Sequence, residues 1–383
     1  MTAGRPARLP AWVRELQASA RSAHDAAPLP DRVAHLWRYT DPATLVPSED
    51  AAVVDAPPVV RAPAGVRVES LADAAAAREA EVRSLLGGLV PAGHGKFEAL
   101  NAASWREGVS IRVPRGATIE EPVHVRLEAP SAGRSAPRLL AVLDEGSEAT
   151  IVEEFAGGGE TPSWIHGVTE IFVGPGARLR YRRIERSAEG VRHHATLRVR
   201  LAAGASAQAA IVTVGGGIVK SDLGFVLDGE GAEAELSGVA FGHRRRHVDQ
   251  HTRLHHAAPR THSQLDWKVV LKDRARSAYT GLIRIERSAP FSDAYQENRN
   301  LLLSDGTRAE SIPELEILTD EVACKHGATT GPVDDEPLFY LMSRGIPRPA
   351  AVRIVVEGFL EPTLAKLPEA VAEVVRQELA ERL

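Results

Sequence analysis

The chain has 383 residues, of which 44% are apolar and 25% are charged, the composition of an ordinary globular protein. At roughly 150 residues per domain, this length predicts two or three domains with a large core. The net charge of −5 argues against nucleic-acid binding, and the single cysteine excludes an intramolecular disulfide framework and a complete all-cysteine metal site within one chain.

The N-terminal region, residues 1–95, has the pattern of a helical domain. One helix is predicted over residues 10–24. A second is predicted over residues 71–86, because Ser70 is a good N-cap and Gly87 lies where a helix C-terminus needs a residue with positive φ.

Two segments bear on targeting. The arginines of residues 1–25 are not accompanied by an apolar segment, so this stretch lacks the pattern of a secretory signal. The longest uncharged stretch, residues 201–219, is interrupted by three consecutive glycines and is interpreted as two strands and a turn. With the lone cysteine, which fits a reducing compartment, these observations predict a cytoplasmic protein without a membrane span.

The central region, residues 96–333, is predicted to be built from β-strands. Residues 109–113 and 123–127 alternate apolar and polar side chains, as half-buried strands do. A glycine recurs every 27–30 residues and is followed by small or apolar residues at alternate positions. These glycines are Gly116, Gly146, Gly176, Gly204 and Gly231. A recurrence of this length without helical patterns favours a β-solenoid over the competing β-sandwich, and the scarcity of aromatic residues fits a narrow interior.

The C-terminal region, residues 334–383, is predicted to be helical. A first helix opens with acidic residues and Pro337 and ends at Gly345. A second covers about residues 349–359, and a third follows Pro368 with a stripe of apolar residues. The stripe residues are Val371, Val374, Val375 and Leu379. Core packing is the simplest interpretation of the stripe, and a partner surface is the alternative.

The densest group of histidines lies in residues 243–256. His243, His247, His251 and His255 share one face of a helix, which would suit a zinc site, and they also share one face of a strand together with Asp249 and Arg253. The surrounding strands favour the second geometry, and the neighbouring arginines would repel a cation. A metal-dependent enzyme that uses these histidines on a β-solenoid nevertheless remains an alternative hypothesis.

Cys324 and His326 form a second candidate group. In extended geometry the two side chains lie on the same face, and thiolate and imidazole are both suitable ligands for iron or zinc. Lys325 would help to lower the pKa of the thiol. Two other interpretations stay open: a Cys/His nucleophilic pair, and a small buried residue beside a hydrogen-bonded histidine.

Glycine-rich segments supply no nucleotide site. Residues 93–97 contain Gly-His-Gly-Lys but lack the spacing and the Ser/Thr of a phosphate-binding loop, so we predict no ATP site in this chain. The glycines at 215–217 are not followed by the helix and acidic residue of a dinucleotide fingerprint.

Several longer segments resemble the SufB/SufD family of iron–sulfur cluster assembly proteins. The strongest are Pro313-Glu314-Leu315-Glu316-Ile317, Val322-Ala323-Cys324-Lys325-His326-Gly327-Ala328-Thr329 and Leu338-Phe339-Tyr340-Leu341-Met342-Ser343-Arg344-Gly345-Ile346. Further matches are Leu36-Trp37-Arg38-Tyr39-Thr40, Phe97-Glu98-Ala99-Leu100-Asn101 and Asp293-Ala294-Tyr295-Gln296-Glu297-Asn298. Within the family the chain is most similar to SufD, because Gly327 stands where SufB proteins usually carry an acidic residue.

This resemblance implies a right-handed parallel β-helix flanked by N-terminal and C-terminal α-helical domains. It also implies a non-catalytic scaffold subunit that pairs with a SufB paralogue and binds a SufC ATPase through the C-terminal helical region. Residues carried over for that contact are Leu338, Phe339, Tyr340, Arg344 and Gly345. His326 and Cys324 are then candidate ligands of a nascent, transient Fe–S cluster shared with SufB. A homodimer in the absence of SufB is a further expectation.

Overall fold

The protein, described by a computed structural model over residues 9–106 and 108–383, is mainly β, with 43% of residues in strands and 24% in helices. Its centre is a parallel β-solenoid of about eight turns, with helices before and after it. The predicted solenoid with helical flanks is confirmed, and the competing β-sandwich is wrong. Within the described residues, no helix combines the length and the apolar character that crossing a bilayer requires.

The α-helices of the described residues are α1 (Ala11–Ala26), α2 (Leu71–Ala77), α3 (Glu79–Leu85), α4 (Lys96–Ser104), α5 (Asp335–Ser343), α6 (Arg348–Leu364) and α7 (Glu369–Arg382). Short 3-10 helices cover His35–Trp37, Pro42–Leu45 and Ala92–His94.

The strands of the described residues are β1 (Val59–Arg61), β2 (Arg67–Ser70), β3 (Gly108–Val113), β4 (Val123–Ala129), β5 (Gly133–Ser135), β6 (Arg138–Leu143), β7 (Glu148–Gly157), β8 (Ser163–Val173), β9 (Arg178–Glu185), β10 (Val191–Leu201), β11 (Ser206–Thr213), β12 (Ile218–Leu227), β13 (Glu233–Gly242), β14 (His247–His256), β15 (His262–Leu271), β16 (Arg276–Ile285), β17 (Asp293–Leu302), β18 (Arg308–Ile317) and β19 (Ala323–Pro332).

From β3 onward, with the exception of the short β5, successive strands alternate between two sheets. Each coil therefore adds one strand to each sheet. Sheet 1 has the order β2-β3-β6-β8-β10-β12-β14-β16-β18, with β5 pairing beside β8. Sheet 2 has the order β1-β4-β7-β9-β11-β13-β15-β17-β19. Side chains that point between the sheets form the main core, which contains the alternate residues predicted from the glycine repeat, such as Ala149, Leu179 and Ile211.

The repeat glycines occupy one corner of successive coils. All five have φ between 62° and 68°, and each donates its N–H to a carbonyl of the following coil. The corner continues through Arg260 and Phe291, which adopt φ values of 57° and 62° and make the same hydrogen bond. A left-handed residue other than glycine costs roughly 1–2 kcal/mol. The glycine repeat therefore identifies fewer coils than the structure contains, because stacking holds the last corners against that cost.

The two ends of the solenoid differ. At the N-terminal end, β1 pairs antiparallel with β4, and β2 pairs antiparallel with β3, so both sheets are covered by the chain itself. At the C-terminal end, β18 and β19 each pair with one neighbour only. Pro313 lies within β18, a position that suits an edge strand because proline has no N–H to donate. The solenoid therefore ends in two unpaired strand edges.

The N-terminal helices cover the outer face of sheet 1. Trp12 and Val13 of α1 are buried in a cluster with residues of α2 and α3 and with Leu140 of β6. The helix predicted over residues 71–86 is interrupted at Arg78, whose φ of −137° separates α2 from α3. Arg78 forms ion pairs with Glu69 and Glu81, and these contacts account for a break that helix propensity does not predict. The Ser70 N-cap is confirmed.

A strap formed by residues 35–45 continues across the outer face of sheet 1. The Trp37 ring stacks on His194 of β10 with the ring centroids 5.7 Å apart, and it also lies 4.6 Å from the Lys220 ammonium of β12. Lys220 donates to the Leu36 carbonyl oxygen at 2.6 Å and to the Asp249 carboxylate at 2.9 Å. This buried ion pair therefore fastens the strap to two neighbouring strands.

The C-terminal helices cover the outer face of sheet 2. The predicted stripe on α7 packs against α6 and against outward side chains of sheet 2 such as Val212, Val239 and Phe241. Its interpretation as core packing is confirmed, with Val374 less buried than its neighbours. Asp266 of β15 accepts hydrogen bonds from Thr363 at 2.8 Å and from Lys366 at 3.2 Å, which anchors the end of α6.

Replacing Lys220 with methionine should lower the free energy of unfolding by about 3–5 kcal/mol, because it leaves the Asp249 carboxylate buried without its cation. Lys220 and His251 hold the pKa of Asp249 below its usual range even though burial alone raises it. The stabilisation is therefore present above the unfolded-state pKa of about 4 and is lost as the pH falls below it.

Urea unfolding at pH 7 measures this loss. A Lys220→Met/Asp249→Leu double variant provides the control, since it removes both charges and should recover much of the stability. Equal losses in the single and double variants would contradict the importance of the ion pair.

Candidate functional site

Cys324 and His326 both lie on β19, the edge strand of sheet 2. In the register with β17, Cys324 pairs with Ala294 and His326 with Gln296, two buried residues. Ala294 belongs to the solenoid core and Cys324 packs against it, so this face of β19 continues the inner wall of the solenoid. The two side chains lie about 7 Å apart along the strand. The predicted common face is therefore present, at the open mouth of the solenoid.

The Cys324 thiol is half-buried against the core. Burial raises its pKa, and the negative charge of Asp293 raises it further. Lys325 alternates to the opposite face of the strand, so the expectation that it lowers the pKa of this thiol is wrong. The thiol therefore remains protonated at neutral pH, which disfavours an activated nucleophile and means that a bound metal must displace the proton.

Polar side chains line the solenoid interior beside this pair. Asn298 accepts a hydrogen bond from Ser311 of β18 at 2.6 Å and another from Asn300 at 2.8 Å. Gln296 donates to the Gly281 carbonyl oxygen at 3.0 Å. These contacts connect β17 of sheet 2 to β16 and β18 of sheet 1 across the solenoid interior. The sequence analysis did not identify this layer, although the Gln-Glu-Asn-Arg-Asn run of β17 contains its alternating amides.

The ligand count at this end is low. Among residues 9–106 and 108–383, one group of three His, Cys, Asp or Glu side chains brings its ligand atoms within 4.8 Å of one another, and it does not include Cys324 or His326. Fe–S clusters are normally held by four protein ligands, most of them cysteine thiolates. Cys324 and His326 alone could therefore hold a cluster only with further ligands from elsewhere.

The group that does meet this distance, His94, Glu98 and Asp222, lies on the outer face of sheet 1. The Arg198 guanidinium donates to His94 at 2.9 Å and also pairs with Asp222. A guanidinium in contact with two of the three residues satisfies them and opposes a metal cation. This group is interpreted as a partly exposed ion-pair network.

The histidines of residues 243–256 do not converge on one point. From His247 onward they lie on strand β14, as the strand geometry predicts, and the helical arrangement is wrong. Lys220 donates to both Asp249 and His251, so an ammonium group occupies the space between these two candidate ligands. His255 pairs with Glu286 on the outer face, and His256 bonds to Thr261 and Ser263 on the inner face.

The segment that superficially resembles a phosphate-binding loop is occupied by structural contacts. Residues 92–94 form a 3-10 helix, and Lys96 opens α4. The Lys96 ammonium donates to the His24 carbonyl oxygen at 3.0 Å and to the Ala27 carbonyl oxygen at 2.7 Å. This lysine therefore ties α4 to the end of α1.

The residues predicted to bind an ATPase lie on and just after α5. Leu338 is buried, whereas Phe339 and Tyr340 are 75% and 58% exposed. Arg344 lies over the Tyr340 ring at 5.3 Å, and Gly345 ends the segment with a φ of 85°. Two adjacent exposed aromatic rings on a helix held by a buried leucine form an apolar surface that is unusual for a protein in water.

Iodoacetamide should modify Cys324 slowly at pH 7 and faster as the pH rises toward 9 and above, because the raised pKa keeps the thiol protonated. An Asp293→Asn variant should react faster than the wild-type chain at the same pH, since it removes the nearby negative charge. Asp305→Asn serves as the control. Since Cys324 is the one cysteine, intact-mass spectrometry reports the reaction directly. A rapid, pH-independent reaction near neutrality would contradict the raised pKa.

Comparison with known proteins agrees with this geometry. The family model described as "SUF system FeS cluster assembly, SufBD core domain" matches residues 125–359. The chain is 34% identical to an iron–sulfur cluster assembly SufBD family protein of Mycobacterium tuberculosis over 281 residues, 71% of this chain and 69% of that protein.

It is 31% identical over 283 residues to the iron–sulfur cluster assembly protein SufB of Bacillus subtilis and to a SufBD family protein of Staphylococcus saprophyticus. Each alignment covers 73% of this chain and 61% of the relative. The family match spans most of the solenoid, α5 and most of α6, so the chain belongs to the SufB/SufD family of the SUF iron–sulfur cluster assembly system.

Proposed function

We propose that this chain is a SufD-like scaffold subunit that contributes Cys324 and His326 to a nascent Fe–S cluster held jointly with a SufB-like partner. The observation that carries the proposal is the position of both residues on β19, an edge strand whose second side has no neighbour among the described residues. A cluster assembled there would be cargo in transit.

The unpaired edges favour a partner at the C-terminal end of the solenoid. Exposed edge strands readily pair with another chain, and proteins usually protect them. Here the N-terminal end is protected by β1 and β2, whereas β18 and β19 present edges with exposed apolar residues. Those residues are Leu315, Ile317 and Leu318. A subunit with the same solenoid can extend both sheets and bring its own ligands to the mouth. Without that partner, a second copy of the chain can occupy the same edges.

Gly327 supports the SufD-like assignment. Its backbone lies opposite Glu297 of β17, and a Cβ at this position would come within 3.9 Å of the Glu297 side chain. An acidic residue, as SufB proteins usually carry there, would place two like charges directly opposite each other. The Glu297 carboxylate therefore favours glycine over an acidic residue at position 327 of this chain. In the proposed complex, the SufB-like partner carries the acidic residue.

The exposed aromatic rings of α5 are proposed to bind a SufC-like ATPase. Arg344 and Gly345 complete that surface, and Leu338 holds the helix in place. The chain has no phosphate-binding loop of its own by sequence, so the energy of ATP hydrolysis has to come from the partner. β19 ends at Pro332 and α5 begins at Asp335, so movement of α5 is transmitted directly to the strand that carries Cys324 and His326.

In this mechanism the chain performs no chemical turnover. ATP-driven association of two ATPase subunits moves the C-terminal helices, loosens the terminal coil and admits iron and sulfide to the mouth. The raised pKa of Cys324 is consistent with a ligand that is protonated at rest and loses its proton as iron binds. We propose a cytoplasmic location, where a free thiol stays reduced.

A His326→Ala variant should reduce cluster formation at least about tenfold while leaving the complex intact, because it removes a metal ligand and no core contact. The chain is co-expressed with SufB-like and SufC-like partners, and iron and sulfide are measured anaerobically in the purified complex. His124→Ala, on the same sheet at the opposite end, is the control. Normal cluster yield in His326→Ala would refute a ligand role for this histidine.

A Phe339→Ala/Tyr340→Ala double variant should weaken binding of the ATPase subunit at least about tenfold, because exposed aromatic residues commonly dominate binding energy. The melting temperature of the isolated chain should change little, since both rings are exposed. Binding is measured by titration calorimetry, with Val33→Ala, an exposed apolar residue outside α5, as the control. Unchanged ATPase affinity would place the contact elsewhere.

A further inference from the structure

We propose that a groove on the outer face of sheet 1 binds the phosphate or pyrophosphate group of a small organic anion. Four arginines line the groove: Arg245, Arg274, Arg276 and Arg308. This inference is independent of the proposed function at the mouth, because the groove lies outside the solenoid and contains neither Cys324 nor His326.

The solenoid repeat places these arginines next to one another. Arg276 and Arg308 are the first residues of β16 and β18 and are direct partners in the parallel register. Neighbouring strands lie about 4.8 Å apart, so the two guanidinium groups leave the sheet side by side. Arg245 and Arg274 come from the corners that precede β14 and β16. The repeat thus concentrates four cations on one small area of a chain whose net charge is −5.

The strap forms the opposite wall of the groove. Tyr39, Thr40, Asp41 and Thr44 face the arginine-bearing corners across a space of about 630 Å³ that is partly open to solvent. This space is large enough for a small molecule. The strap and the arginine-bearing corners are the two walls of a recess, and sheet 1 is its floor. A recess suits a compact ligand better than it suits the flat acidic surface of a protein.

Elsewhere on the solenoid, arginines of one coil commonly pair with carboxylates of the next. Arg112 pairs with Asp144 at 2.8 Å, Arg284 with Glu316 at 2.7 Å and Arg180 with Glu148 at 2.6 Å. Among the described residues, none of the four groove arginines has a carboxylate within 4.0 Å. The four groove arginines therefore lack the neighbouring carboxylates that neutralise these arginines of other coils.

Stacking like charges in register opposes folding, so the bare groove has an energetic cost. The acidic groups nearby do not remove it: Asp41 caps the following 3-10 helix through the Ala43 N–H, and Glu310, two residues along β18, forms no ion pair with Arg308. His247 also lines the groove, where burial lowers its pKa and it shares a hydrogen bond of 2.7 Å with Thr40. It is therefore a neutral hydrogen-bonding group.

The chemistry of four guanidinium groups selects the ligand. Each presents a planar fork of donors that matches phosphate oxygens in bidentate geometry. A phosphate group carries close to two negative charges and three acceptor oxygens, so it satisfies several arginines at once, which one carboxylate cannot do. The Tyr39 and Thr44 side chains at the rim can contact the organic part of the ligand. No hydrolysis is implied, because the groove presents cations and no paired carboxylates.

The test is titration calorimetry of the full chain with inorganic phosphate, inorganic pyrophosphate and ADP, together with the thermal shift that each produces. Pyrophosphate should bind the wild-type chain, raise its melting temperature and bind more weakly as sodium chloride is added. Arg274→Gln/Arg276→Gln should weaken binding at least about tenfold for each arginine removed. Tighter binding of ADP than of pyrophosphate identifies a nucleotide-like ligand, and equal binding identifies recognition of the phosphates alone.

The control is Arg115→Gln/Arg200→Gln, which removes two exposed arginines that are paired with Glu145 and Asp228. It should bind pyrophosphate like the wild-type chain. Arg274→Lys/Arg276→Lys, which keeps the charge but loses the forks, should bind with intermediate affinity, and the single Arg274→Gln variant serves if the double variant folds poorly. Absence of pyrophosphate binding, or equal losses in the control, would overturn the proposal. It would also be overturned if the groove variants bound pyrophosphate normally but failed to assemble with a protein partner.

Discussion

Backbone hydrogen bonding between successive coils is the constraint on which this structure depends. Each strand of a parallel solenoid requires a neighbour on both sides, and a solenoid of finite length must leave two strands unsatisfied at each end. The chain resolves this at its N-terminal end by turning β1 and β2 back antiparallel onto β4 and β3. Among the described residues, β18 and β19 are left with one neighbour each, and this asymmetry makes the C-terminal end the proposed site of assembly.

The same asymmetry explains why chemistry-bearing residues are useful on the last coil. Most side chains that point between the sheets are buried in the preceding coils, but in the last coil the inner face is open, on β18 as well as on β19. Cys324 is held half-buried by the core on one side and is accessible on the other, and the amides of β17 surround the opening. Because α5 follows two residues later, a force applied to the C-terminal helices acts first on this coil.

Several ion pairs along the solenoid also follow the coil repeat. An outward arginine commonly lies beside a carboxylate of the next coil, which stabilises the stack without leaving net charge on the surface. The buried Lys220–Asp249 pair also joins two neighbouring coils, on the outer face of sheet 1, and it fastens the strap there. The arginine groove differs from these ion pairs because its four arginines have no carboxylate partners among the described residues. Its position between the strap and the corners also makes it a recess that can enclose a ligand.

The sequence by itself determined the class of fold, because period-2 alternation and a glycine every 27–30 residues are local signals. It also determined the Ser70 cap, the buried stripe of α7 and the common face of Cys324 and His326, since these depend on neighbours a few residues away. The tertiary structure decided the features that depend on distant parts of the chain. The corners at Arg260 and Phe291 are held by stacking, Arg78 breaks a helix to reach Glu69, and burial beside Asp293 raises the pKa that Lys325 was expected to lower. The four arginines of the groove come from three successive coils, and only the register of parallel strands places those coils together.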